Sequence, residues 1–215
     1  MHHSSSKINE AETKGLVIHR AKLYNGVFGG LLSSSEERII ELAEIKPGHN
    51  VLDLGCGPGR ITLKAKAKAG QNGKVFGIDA SREMIELAKS RASKEGIDVN
   101  FLEGLAQELP FPDETFDVVL NRLVIHHLPK ELLHKCFAEM QRTLKPGGLC
   151  LVVDFDIHSL PVFGTLLKAL VHHRMPQTDV RNFVPLGQEA GFTDVEAGPT
   201  GKLLLAYVKG RKKAG

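Results

Sequence analysis

The segment Val51-Leu52-Asp53-Leu54-Gly55-Cys56-Gly57-Pro58-Gly59-Arg60 constrains the fold of this chain more than any other. An apolar run too short for a helix leads into glycines at alternate positions, and a stretch of helical period follows from Gly59. A strand that turns through glycines into a helix is the opening unit of a parallel α/β sheet, and it is a place where a ligand touches backbone. Glycine is required there because a side chain would hold the ligand away, and because such turns use backbone angles that other residues avoid.

The rest of the chain repeats the alternation. Strands are expected at Val51–Leu54, Lys74–Ile78, Val99–Glu103, Phe116–Leu120 and Leu149–Phe155, with helices over Gly59–Ala69 and Ser81–Lys94. Ser81 can accept from the free amides of the first turn, Glu83 complements the helix dipole, and Met84, Ile85, Ala88 and Ala92 share a face. Another helix follows Pro129, carries Leu132, Leu133, Cys136, Phe137, Met140 and Leu144 at helical spacing, and is stopped by Pro146-Gly147-Gly148. Thr193–Glu196 and Leu203–Val208, joined through Gly198, Pro199 and Gly201, read as a closing antiparallel pair. The expected fold is α/β: a doubly wound, Rossmann-like, mostly parallel seven-stranded sheet with an antiparallel last strand.

With 215 residues, 42% hydrophobic and 25% charged, the chain suits one globular domain. Residues 1–40 are expected to form an N-terminal segment and cofactor lid, and residues 41–215 the domain itself. A net charge of +3 does not call for nucleic acid, and the basic run Lys209–Lys213 reads as a solvated tail. Met1–Ser6 has no apolar core of signal-peptide type. The apolar stretch Leu160–Val171 is interrupted by Gly164 and Lys168 and falls short of the roughly 20 residues of a membrane span. Cys56, Cys136 and Cys150 are odd in number and scattered, which fits a reducing, cytoplasmic setting with neither a disulfide framework nor a metal site. No feature of the sequence fixes an oligomeric state.

Spacing in the glycine loop separates two ligand classes. A dinucleotide fingerprint wants a small residue at its sixth position, where helix and strand pack closely, and this chain has Arg60. A cofactor without a pyrophosphate fits better. Asp79, ending Gly77-Ile78-Asp79-Ala80 at the carboxyl edge of the next strand, can grip a ribose diol, or it can cap the following helix.

Taken together, these residues resemble the class I S-adenosylmethionine-dependent methyltransferases, in the ubiquinone/menaquinone-biosynthesis-like group that acts on small molecules. The resemblance runs from about Tyr24 to Lys209. It rests on Leu52 to Gly59, Gly77-Ile78-Asp79, Leu109-Pro110-Phe111, Phe116-Asp117-Val118-Val119, His126-His127-Leu128, Leu144-Lys145-Pro146-Gly147-Gly148 and Glu189-Ala190-Gly191-Phe192. It implies that Gly55, Cys56 and Gly57 lie against the methionine part of S-adenosylmethionine, with Asp53 reaching the amino group and Asn121 offering a backbone carbonyl to it. It further implies that Asp79 holds the ribose, that Ala80 and Met84 pack on the adenine, that the backbone of Leu105 and Ala106 meets its edge, and that Tyr24 belongs to a segment folding over the cofactor. Relatives often carry an aspartate where this chain has Leu105, so the usual contact to the adenine amine is missing.

Methyl transfer from a sulfonium needs alignment and exclusion of water rather than a nucleophilic side chain. A base is needed only when the acceptor must lose a proton. Candidates past the fourth and fifth strands are His126, His127, Asp156 and His158, histidine being the right type near neutral pH. The His126-His127 pair can equally order a loop, and His172-His173 reads as a surface pair because no third metal ligand is spaced to join it. Leu120-Asn121-Arg122-Leu123 lacks the Asn/Asp-Pro-Pro-aromatic pattern of amino-nitrogen methylation, and no cysteine follows a proline as pyrimidine-carbon methylation requires. The apolar segment from Ile157 to Val184 is either a lid over a hydrophobic or aromatic acceptor or a core helix. An NAD(P)-binding Rossmann oxidoreductase and a non-catalytic cofactor-binding module remain as alternatives.

Overall fold

A computed structural model describes residues 35–156, 179–202 and 205–215. The elements are α1 (Glu36–Leu42), β1 (Val51–Leu54), α2 (Arg60–Ala69), β2 (Val75–Asp79), α3 (Arg82–Glu95), β3 (Asn100–Glu103) and β4 (Phe116–Arg122). They continue with α4 (Lys130–Thr143), β5 (Leu144–Phe155), α5 (Phe183–Glu189), β6 (Phe192–Lys202) and β7 (Leu205–Lys212). Short 3₁₀ turns lie at Ile125–His127 and Val180–Asn182. The seven strands form one sheet in the order β3-β2-β1-β4-β5-β7-β6. Only β7 opposes its neighbours, since it pairs antiparallel with both β5 and β6 while the other pairings are parallel.

Alternate side chains of the central strands feed two cores, which makes the sheet doubly wound. Leu52, Leu54, Val119, Cys150 and Val152 join Phe137 and Met140 of α4 and Phe183 of α5. Val51, Val118, Leu120, Leu149, Leu151 and Val153 join Ile39 and Ile40 of α1 and Ile61 and Ala65 of α2. Because β1 is buried on both faces it reads as an unbroken apolar run around one acid. Ser81 caps α3 as its sequence suggests, its hydroxyl accepting from the Met84 amide at 3.4 Å.

Three expectations are corrected. The helix does stop near Pro146-Gly147-Gly148, but α4 ends at Thr143 and those residues open β5, whose pairing with β4 is irregular there. Gly198, Pro199 and Gly201 are not a connection, for β6 runs through them to Lys202. As the edge strand, β6 can hold a proline without losing a ladder bond on its open side. The basic run is not a free tail: in β7, Lys209 pairs with Glu44 and Glu196, Arg211 with Glu44, and Lys212 with Glu114.

Tyr24, His158 and His172-His173 lie outside the described residues, as does most of the Ile157–Val184 segment. Among the described residues no helix is long and apolar enough to cross a membrane.

The loop from Gly104 to Thr115 is pinned by one pair on α4. Glu139 accepts from the Leu109 amide at 2.7 Å, and Arg142 donates to the carbonyls of Leu109 (3.2 Å) and Phe111 (2.9 Å) and to the Asp113 carboxylate (2.6 Å). Glu139 in turn holds the Arg142 guanidinium at 2.7 and 2.9 Å. Phe111 then closes an edge-to-face trio with Phe76 and Phe116. Arg142→Ala and Glu139→Ala should each lower unfolding free energy by about 1–3 kcal/mol, because each leaves backbone groups of the loop unpaired. Urea denaturation of both single mutants and the double mutant should show a coupling above about 0.5 kcal/mol, and strict additivity would contradict the clamp.

Candidate functional site

The parallel register gathers the sequence-selected residues at one edge of the sheet. Asp53 is level with Gly77 on β2 and Leu120 on β4, and Leu54 is level with Ile78 and Asn121. Gly55, Gly57, Asp79 and Asn121 therefore stand together at the carboxyl ends of β1, β2 and β4, where open α/β sheets bind ligands.

The two loop glycines serve different neighbours. Gly57 has φ +50° and a Cβ there would meet nothing within 4 Å, so its backbone faces open space. Gly55 has φ +73° and a Cβ would fall 2.2 Å from Val124 Cγ2, so the loop after β4 fills that place. Cys56 is buried, its thiol is raised by burial, and its sulfur packs near Gly77, which leaves only its backbone to meet a ligand. Arg60 turns away to Glu36, donating at 2.5 and 3.2 Å.

Asp79 both anchors the loop and starts the next helix. One carboxylate oxygen accepts from the Gly57 amide and the other from the Ser81 amide, each at 2.8 Å. Each oxygen keeps a lone pair for a further donor. Burial raises its pKa against the pull of these two amides. Asp53 is buried, with Oδ2 accepting from the Thr62 hydroxyl at 2.6 Å. Burial pushes it up to about 6, the Thr62 hydroxyl and the Arg122 charge opposing and the Asp79 charge adding. Asn121 is buried, donates to the Leu54 carbonyl at 2.9 Å, and has no partner for Oδ1 among the described residues. Met84 is buried, while Ala80, Leu105 and Ala106 are partly exposed, and Leu105 and Glu108 close a short bridge.

A second group lies at the β4 and β5 ends. His126 Nδ1 is 2.7 Å from Asp154 Oδ1, and the two side chains are nearly inaccessible. Asp154 also accepts from the amides of Phe155 (2.8 Å) and His126 (3.3 Å), which fixes the carboxylate. His127 lies against His126 with ring centroids 3.9 Å apart. Burial, aided by His126 and opposed by Asp154, lowers His127 to about 4, so it is neutral at pH 7. Asp156 is buried and accepts from Arg181 at 3.0 Å, so the carboxylate that faces His126 is Asp154, which the sequence reading passed over.

The family described as "Methyltransferase domain" matches residues 51–148. A Brucella anthropi protein named ubiquinone/menaquinone biosynthesis C-methyltransferase UbiE is 30% identical over 182 residues, covering 79% of this chain and 68% of that protein. The chain belongs to the class I methyltransferases, in the UbiE-like group. The Bacillus subtilis protein named uncharacterized methyltransferase YcgJ is 36% identical over 139 residues, 64% of this chain and 53% of that one. An Aquifex aeolicus SAM-dependent methyltransferase structure has a TM-score of 0.68 at 23% identity, covering 89% of this chain and 95% of that one, and so shares the fold. The chain spans between about half and two thirds of the length of the curated relatives it matches.

For a class I methyltransferase the implied cofactor is S-adenosylmethionine, and the acceptor groups present fit it. The methionine ammonium needs acceptors, which Asp53 and the unpartnered Asn121 Oδ1 offer, and the ribose diol needs an acceptor pair, which Asp79 offers. The dinucleotide oxidoreductase is set aside by the family membership.

The raised Asp53 carboxyl makes a pH prediction. A carboxyl whose folded pKa exceeds its unfolded value of 3.8 stabilises the protein only while protonated, and that contribution is lost as pH rises through about 6. Asp53→Asn should therefore raise the stability of the ligand-free protein at pH 7.5, by up to about 3 kcal/mol. It should also weaken S-adenosylhomocysteine binding by roughly tenfold or more. In the native protein affinity should increase as pH rises through about 6, where Asp53 ionises to meet the ammonium. Titration calorimetry showing a flat profile would remove Asp53 from the site.

Proposed function

We infer that this chain transfers a methyl group from S-adenosylmethionine to a small, hydrophobic or aromatic acceptor whose reacting atom must lose a proton, such as a phenol, an alcohol or an activated carbon acid. One observation carries the reading: a buried histidine locked to a buried carboxylate at the carboxyl edge of the sheet. When bound, the cofactor supplies a methyl group on a positively charged sulfur. The chain's residues have to hold it, orient the acceptor, exclude water and take a proton.

Asp53, Gly55, Gly57, Asp79 and Asn121 would hold the cofactor, with Ala80, Met84 and the backbone of Leu105 and Ala106 bordering the adenine. Asp154 accepts the Nδ1 proton of His126, which fixes the tautomer and leaves the Nε2 lone pair to accept a proton from the acceptor. His127, neutral and packed on its neighbour, limits the tilt of the ring. Asp156 would act only through Arg181.

His126→Ala should lower kcat by about 10² to 10⁴ with little change in cofactor affinity, and the acidic limb of the pH–rate profile should vanish. Asp154→Asn should give a smaller loss in kcat, since the ring can then adopt the wrong tautomer. A drop in melting temperature with turnover unchanged would mark His126 as structural. The acceptor class is tested by incubating the protein with the cofactor and panels of quinols, phenols, amines and thiols and measuring product mass. Products confined to amines would refute the base, and cofactor binding without any product would favour the non-catalytic module.

A further inference from the structure

A charged group under the glycine loop is not used by the mechanism above. Arg122 ends β4, one residue past Asn121, and Asn121 is level with Leu54, so Arg122 comes level with Gly55 at the carboxyl edge. Alternation along β4 puts its side chain on the face of Leu120, which is level with Asp53. The Arg122 charge is felt at Asp53, and its side chain is 12% exposed.

The neighbouring charges leave this guanidinium underused. Glu36, buried at the start of α1, lies 3.8 Å from Arg122, too far for a hydrogen bond. Its two oxygens already take the Arg60 fork at 2.5 and 3.2 Å, and Lys64 is shared with Glu37. Arg60 thus balances Glu36, Lys64 balances Glu37, and Arg122 is left opposite Asp53. Among the described residues its guanidinium makes no hydrogen bond, although it carries five donors.

We propose that Arg122 binds the carboxylate of the cofactor's amino-acid end, forming with Asp53 a receptor for the zwitterion. The inference rests on the S-adenosylmethionine reading given above. It follows from charge balance: an ammonium arriving at Asp53 takes away the countercharge of Arg122, and the carboxylate two bonds along the same ligand restores it. The planar fork suits a carboxylate, which can accept two parallel N–H bonds. Glu36 is then a positioning residue, holding the arginine near the loop without saturating it.

The test compares S-adenosylhomocysteine with its decarboxylated analogue, which keeps the adenosine, the thioether and the ammonium. Calorimetry on the full chain should show that the wild type prefers the carboxylate form by roughly 10- to 100-fold. R122M should lose that preference, its affinity for S-adenosylhomocysteine falling at least tenfold further than its affinity for the analogue. R122Q is the second variant should R122M not fold, and it should behave the same way. E36Q should reduce the preference without abolishing it. Preference retained in a folded Arg122 variant, or equal loss for both ligands, overturns the proposal while leaving the cofactor reading intact. A wild-type protein that binds neither ligand overturns both.

Discussion

The carboxylate of Asp79 is the tie on which the site depends. Two amides, those of Gly57 and Ser81, end on its two oxygens. The first bond sets the path of the glycine loop relative to β2, and the second sets where α3 begins. Without them the loop would be held to the sheet mainly by the Gly55 and Cys56 amides, which both end on the Ile78 carbonyl. On the proposed reading the same carboxylate would also take the ribose hydroxyls, which would couple the conformation of the loop to the presence of ligand.

The sheet divides the chemistry by face. On the α1 and α2 side stand Asp53, Arg122, Glu36 and Arg60, all charged and hardly accessible except Arg60. On the α4 side stand Asn121, Asp154 and His126, reached through an apolar core. Taking charges from water is costly, and each of these groups has a partner or a stated ligand role that offsets the cost. On the proposed reading the amino-acid end of the cofactor would meet Asp53 and Arg122 on the first side and Asn121 at the strand end, and the proton would be taken on the second.

Much of this was readable from the chain alone, where local pattern and tertiary demand agreed. Val51–Leu54 shows as a strand because both faces are buried, and Ser81 shows as a cap because its hydroxyl and the first-turn amides are local partners. Pattern misled where the sheet tolerated residues that usually end strands. Gly147 and Gly148 enter β5 at a point of irregular pairing, and Pro199 sits in an edge strand. Asp154 was hidden for another reason. Inside the apolar run Leu149–Phe155 it reads as an interruption of a strand, and it gains meaning only from the register that sets β5 beside β4 and brings it under His126. Asp156, just past the run, stands at a loop position, where catalytic groups are expected. Arg122 and Glu36, eighty-odd residues apart in sequence, likewise met only through the fold.

Val124 occupies the space in which a side chain at position 55 would have to stand. The two residues form a single steric unit that spans the boundary between the cofactor loop and the turn carrying His126. A side chain at position 55 is opposed twice, by the left-handed backbone there and by Val124, so even a smaller residue at 124 would leave an alanine strained, and with Val124 in place the turn would have to move. The glycine that looks like a mark of cofactor recognition is, in this chain, also what lets the turn after β4 close on the loop.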